Sequence, residues 1–177
     1  MTRRSIGLLI AILIAVLATP SRALAAVDVF LKIAGITGES ADSAHRNEID
    51  VLSWSWGTST GTGKTKGGVV PPACIQDVTI MKRFDAASPQ LIMNSVTGTI
   101  AANGVLTLRR AGDVQLEFLT LTMTNVSVAA VQISESSEEP VESVVLHFTS
   151  MHGEYIRQGP TGVGGAPIVF DISGACN

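Results

Sequence analysis

Aromatic residues are scarce in this chain of 177 residues: two Trp, one Tyr and five Phe. Charge is scarce too, with 15% of residues Asp, Glu, Lys or Arg and a formal net charge of −3. A mildly acidic chain with scattered basic residues lacks the electrostatic footprint for nucleic acid or an anionic lipid surface. The longest apolar run, Ile6 to Leu17, falls short of the roughly 20 residues that cross a bilayer as a helix, which argues against a stable membrane anchor. Cysteine and histidine are limited to Cys74, Cys176, His45, His147 and His152.

Familiar catalytic layouts are missing as well. Gly61-Thr62-Gly63-Lys64-Thr65 resembles the tail of a phosphate-binding loop, but the pattern needs glycine where Thr58 stands. Pro71 and Pro72 follow shortly, so no helix N-terminus faces a phosphate there. Read on one strand, His147 and His152 point to opposite faces and cannot share a metal. Glu138 and Glu139 lie in an acidic hairpin loop, Ser134 to Pro140, which reads as a solvated tip. No catalytic, cofactor-binding or metal residues are assigned, and the chain is expected not to be an enzyme.

What is present is a β pattern. Few aromatics with many Val, Ile, Thr and Gly fit a β protein rather than a disordered chain. From Asp50 to Trp56 the residues alternate: Leu52, Trp54 and Trp56 point one way, Val51, Ser53 and Ser55 the other. Both tryptophans therefore share a face, and at about 150–250 Å² each they can seed a core. Ile49, Leu52, Trp54, Trp56 and Gly57 are the expected core motif, with Gly57 ending the strand.

The N-terminus has a different character. Arg3 and Arg4, the run Ile6–Leu17, Pro20 and the small-x-small site Ala23-Leu24-Ala25 are laid out as a secretory signal peptide, cut after Ala25. Losing Arg3, Arg4 and Arg22 and no acidic residue moves the formal charge from −3 to −6. Residues 26–177 then form one domain, exported to the periplasm or secreted.

Within that domain Val27–Ile33 alternates as a strand. A long Gly-rich loop, Thr58 to Ala73, precedes strand character from Ile75 to Met81 with Val78 and Ile80 on one face. Ser88 as N-cap and Pro89 as first helical residue predict a helix through Val96, closed by Gly98. Further strands are predicted at 105–109, 114–123, 126–133, 141–149 and 168–172, with a flexible connection from Gly159 to Gly165. The fold class is all-β, a β-barrel or two-sheet sandwich with one short flanking helix. Asn125-Val126-Ser127 fits a glycosylation sequon at the junction of two strands. An even cysteine count in an exported chain favours a Cys74–Cys176 disulfide over two unrelated thiols. Closing a loop of roughly 100 residues, it is valued at about 4–5 kcal/mol by chain entropy.

Several blocks carry a resemblance. Ala26 to Ile33 followed by Gly38-Glu39-Ser40, His45 to Gly57, Gln76 to Ile80, Lys82 and Ser88-Pro89-Gln90-Leu91 resemble, in order, the Hcp (haemolysin-coregulated protein) family. That resemblance implies a tube subunit of the type VI secretion system. It implies a barrel-like body with a flanking helix, six copies per ring, stacked rings and small secreted effectors sheltered in the lumen. Partners would be copies of itself, effectors, and type VI spike and sheath components, with no cofactor and no toxin domain after Asn177. The loop holding Gly61, Lys64, Lys66 and Gly67 resembles the segment that reaches toward the adjacent ring. One departure stands out: ordinary members begin near the position of Ala26 and are loaded from the cytoplasm. The alternative is a secreted, non-enzymatic binding module on the same barrel.

Overall fold

A computed structural model describes residues 26–60, 73–111, 115–135, 139–159 and 162–174. Among these, the strands are β1 (Val27–Ile33), β2 (Ile49–Asp50), β3 (Ser53–Ser55), β4 (Thr58–Thr60), β5 (Ala73–Ile75), β6 (Val78–Arg83), β7 (Ile100–Arg110), β8 (Leu116–Glu135), β9 (Pro140–His147), β10 (Ser150–Gln158) and β11 (Gly164–Ser173). The helix α1 (Ser88–Thr97) lies between β6 and β7. The main sheet is antiparallel in the order β2-β1-β7-β8-β9-β6-β3, with β10 on β8 and β11 on β10; β4 and β5 form a separate ribbon.

The two ends of that order are neighbours in the chain. The Val51 N–H donates to the Val29 carbonyl on β1 at 2.9 Å, and the next one, Leu52, to Met81 on β6 at 2.8 Å. One segment is thus stitched to both margins of the sheet and closes it on itself. This corrects the single tryptophan strand expected over residues 50–56. The period-two argument assumes one straight strand on one partner, and the hand-over at Val51–Leu52 rotates the faces. Ile49 and Val51 are buried, Leu52 is 47% exposed, and Trp54 and Trp56 are half-buried against the core margin.

The second departure is β8, one strand of 20 residues where two were expected. Asn125 adopts a left-handed conformation (φ 52°), which asparagine tolerates, and the chain bends there without leaving the sheet. Before it, Leu119–Thr124 pair with β10; after it, Ser127–Glu135 pair with β9. Thr149, between β9 and β10, donates its N–H to Thr124 and accepts from the Asn125 amide at 3.2 Å, so both strands turn together.

Two polar knots fix the periphery. Lys82, fully buried, donates to Glu142 Oε1 and Asp85 Oδ1 at 2.7 Å, to the Arg83 carbonyl at 2.7 Å and to Ser88 Oγ at 3.0 Å. This ties β6 to β9 and to the start of α1. Ser88 is therefore not the N-cap: the cap is Ala87, without a side-chain bond, and the Ser88 hydroxyl is spent on Glu142 at 2.8 Å. On the other side Arg109, 4% exposed, bridges Asp42 and Asp28 and lies over the Phe30 ring, which stacks on His45 at 4.1 Å. The Arg109 bond holds the Asp42 carboxyl far below the usual carboxylate range. The strap from Glu39 to Glu48 is thereby pinned over β1, which buries Phe30 on the face opposite Leu31 and Ile33.

Candidate assembly interface

β10 and β11 form a hairpin projecting from β8. On one side Leu119, Leu121 and Met123 of β8 stand beside Tyr155, Gly153 and Met151, and these beside Ile168, Phe170 and Ile172, the row running from an exposed end at Tyr155 and Ile168 to the buried Met123 and Met151. Phe170 lies across Gly153 and stacks with Trp56 at 6.2 Å between centroids. The indole thus contacts the outermost strand, which places Trp56 at the hairpin as well as at the barrel seam. A Cβ at Gly153 would collide with the Phe170 ring. Gly153→Val is expected to expel that ring and cost about 1–3 kcal/mol in denaturant unfolding, with a red shift of tryptophan emission. Unchanged stability and emission would show that the stack does not hold the hairpin.

The other side of the hairpin is polar. Thr120, Thr122 and Thr124 of β8 face Glu154, His152 and Ser150 of β10, and these face Val169, Asp171 and Ser173 of β11. A shallow pocket of about 340 Å³ lies over Thr122, Thr124, Ser150, His152, Asp171 and Ser173. His152 Nδ1 is 2.7 Å from Asp171 and its Nε2 3.2 Å from Glu154. His147 is on β9, not on one strand with His152, and binds Asp77 at 2.9 Å. Among the described residues no three His, Cys, Asp or Glu side chains converge to hold a metal ion.

β11 is the margin of the sheet. Among the described residues it pairs with β10 alone, so the other side of its ten-residue backbone is open. Ile168 is 63% exposed and Val169 54%, and Val163, just before β11, is exposed as well. An open edge with exposed β-branched residues is a template for another chain. A smaller apolar patch, Met93, Val96 and Ile100, lies on and just after α1.

The expected site residues divide. Ile49 is core, Leu52 is not, and Gly57 accepts from the Gln76 N–H at 3.0 Å where β3 gives way to the ribbon. Gly61, Lys64, Lys66 and Gly67, and the Cys74–Cys176 pair through Cys176, lie outside the described residues. Gly57 to Gly61 spells Gly-x-Ser-x-Gly, but Ser59 is on β4 opposite Cys74 in an antiparallel ribbon, not at a strand-to-helix elbow. β10 was not expected at all, and β11 only from residue 168.

The family model described as "Type VI secretion system effector, Hcp" matches residues 30–155, from β1 into β10. The chain belongs to the Hcp family. Protein hcp1 of Pseudomonas aeruginosa is 36% identical over 151 residues, covering 82% of this chain and 93% of that protein. The crystal structure of Hcp1 from Salmonella typhimurium superposes with a TM-score of 0.71 at 33% identity, over 84% of this chain and 95% of that one. A type VI secretion system effector from Yersinia pestis gives 0.68 at 32%, over 82% and 99%. Hcp membership makes the chain a structural tube protein of type VI secretion.

Proposed function

We propose that the chain forms closed rings of six copies, that β11 is one of the surfaces joining them, and that rings stack into a tube whose bore holds small secreted effectors. Spike and sheath components are the further partners in this reading, residues 1–25 direct export, and the protein performs no reaction of its own. The observation that carries the proposal is the open β11 edge, with Ile168 and Val169 exposed, on a chain of Hcp type. A ring needs a head-to-tail contact in which one margin meets a different surface of the next copy, and an unpaired strand supplies one half of it.

The test is the mass and shape of the processed polypeptide, residues 26–177. Light scattering is expected to give about six copies, and negative-stain micrographs to show annuli. Val169→Lys, which puts a charge on the open edge without touching the core, is expected to leave the unfolding midpoint unchanged and shift the population to monomer. Isolated particles at every concentration for the unaltered chain would end the ring reading, and annuli that survive Val169→Lys would move the contact off β11.

A further inference from the structure

We propose that His152 is a pH-operated clip holding β11 against β10, so that assembly through that edge follows the charge of one imidazole. The clip stands on the local geometry, while its effect on assembly rests on the reading of β11 given above. The two ring nitrogens face two carboxylates from opposite sides: Nδ1 meets Asp171 across the ladder on β11, and Nε2 meets Glu154 on its own strand. A neutral imidazole carries a single N–H and leaves one carboxylate facing a lone pair. Only the imidazolium donates to both at once. On the remaining side, β8 offers Thr122 opposite His152, flanked by Thr120 and Thr124, and no charged group. The His152 side chain is 40% exposed under the shallow pocket, so solvent protons reach it.

His45 also has a carboxylate near each nitrogen, Glu48 at 3.0 Å and Glu117 at 3.4 Å, but it is buried against Phe30 and ties the strap to β8 rather than β11 to β10. His147 contacts Asp77 through one nitrogen. β11 is also the strand where a modest gain matters most. It has one ladder, and apart from Phe170 and Ile172 its hydrophobic side chains are largely exposed, which places it at the low end of local stability.

The direction follows from linkage. The bond to Asp171, and then that to Glu154, raise the His152 pKa above its ordinary 6.5. A raised pKa means that the seated strand binds the proton more tightly than the loosened one. The contribution is complete below about pH 6.5 and is lost as pH rises through the higher value of the seated state. β11 is held in mildly acidic solution and released in alkaline solution.

Hydrogen exchange of the β11 amides, corrected for intrinsic rates and read at about pH 6 and about pH 9, tests the clip. In the unaltered protein their protection relative to the β1–β7 amides is expected to fall by about two- to fivefold at the higher pH. In His152→Gln it is expected to be low at both values, and Asp171→Asn is expected to remove most of the pH dependence while leaving the histidine in place. A β11 protection that tracks β1–β7, or a pH dependence that persists in His152→Gln, overturns the clip. Light scattering on the same samples separates the two layers. Rings that disperse as β11 loosens support the whole inference, and rings that persist while β11 loosens overturn its link to assembly. Loosening of β11 without rings at either pH supports the clip and removes the ring reading instead.

Discussion

Replacing Lys82 by methionine is expected to cost about 3–5 kcal/mol of unfolding free energy. The reason is what remains behind. Lys82 and Glu142 are both fully buried, and the ammonium is surrounded by four oxygen acceptors within 3.0 Å. Removing it leaves Glu142 charged in an apolar interior, with Ser88 as its one remaining donor for Oε1 and with Oε2 already lacking a partner among the described residues. It also removes the charged donor to Asp85 Oδ1, which is left with the Ala87 N–H and a long contact from the Ser88 hydroxyl. Because the knot anchors α1, far-ultraviolet dichroism and guanidinium unfolding should both report the loss. The double replacement Lys82→Met with Glu142→Leu is expected to recover most of it, since an apolar pair of similar volume carries no desolvation cost. A single replacement that unfolds within about 1 kcal/mol of the unaltered protein would show that water enters the knot and shields it.

Gly38→Ala is the second large effect, on the order of 3 kcal/mol destabilising. The Gly38 N–H donates to the Asn47 carbonyl at 2.8 Å where the strap folds back on itself. A Cβ there would strike the Glu48 carbonyl and lie 2.8 Å from the Ile49 nitrogen, which is backbone and cannot swing aside. The displaced segment is the one that leads into the barrel seam, so the damage should spread to Trp54 and Trp56 and show in their emission. At Gly35, which also lies in the turn after β1, nothing stands within 4 Å of the added carbon and the strain comes from its φ of 84° alone. Gly35→Ala is therefore expected to be the milder change in the same unfolding measurement.

Much of the β architecture was legible in the chain, and its failures have particular causes. Val27–Ile33 reads correctly as a strand because Val29, Leu31 and Ile33 share one face, although the strap also buries Phe30 on the other. The tryptophan segment does not, because it changes partner from β1 to β6 between Val51 and Leu52, and a strand that changes partner also changes which face is inside. Strands predicted at 114–123 and 126–133 leave a junction at Asn125, yet its left-handed conformation lets β8 bend and continue. Ser88 had the right chemistry for a cap, but a buried lysine and glutamate claimed its hydroxyl. Alternation also cannot tell a central strand from a marginal one. Ile168 and Val169 carry the same pattern as core residues, and only the sheet order reveals that β11 has a neighbour on one side. The polar knots were invisible for another reason: Lys82 with Glu142 and Arg109 with Asp42 are 60 and 67 positions apart.

The continuity of β8 has a mechanical consequence. At about 3.3 Å per residue its 20 residues run a contour of roughly 65 Å, with β7 along one flank as far as Ser127 and β10 then β9 along the other. Tension applied along that contour loads several ladders in shear at once, whereas a sheet built from two shorter strands would peel at the joint one bond at a time. The bend at Asn125 falls inside this rib, so load passes around it through unbroken backbone and the Thr149 contact rather than through a loop.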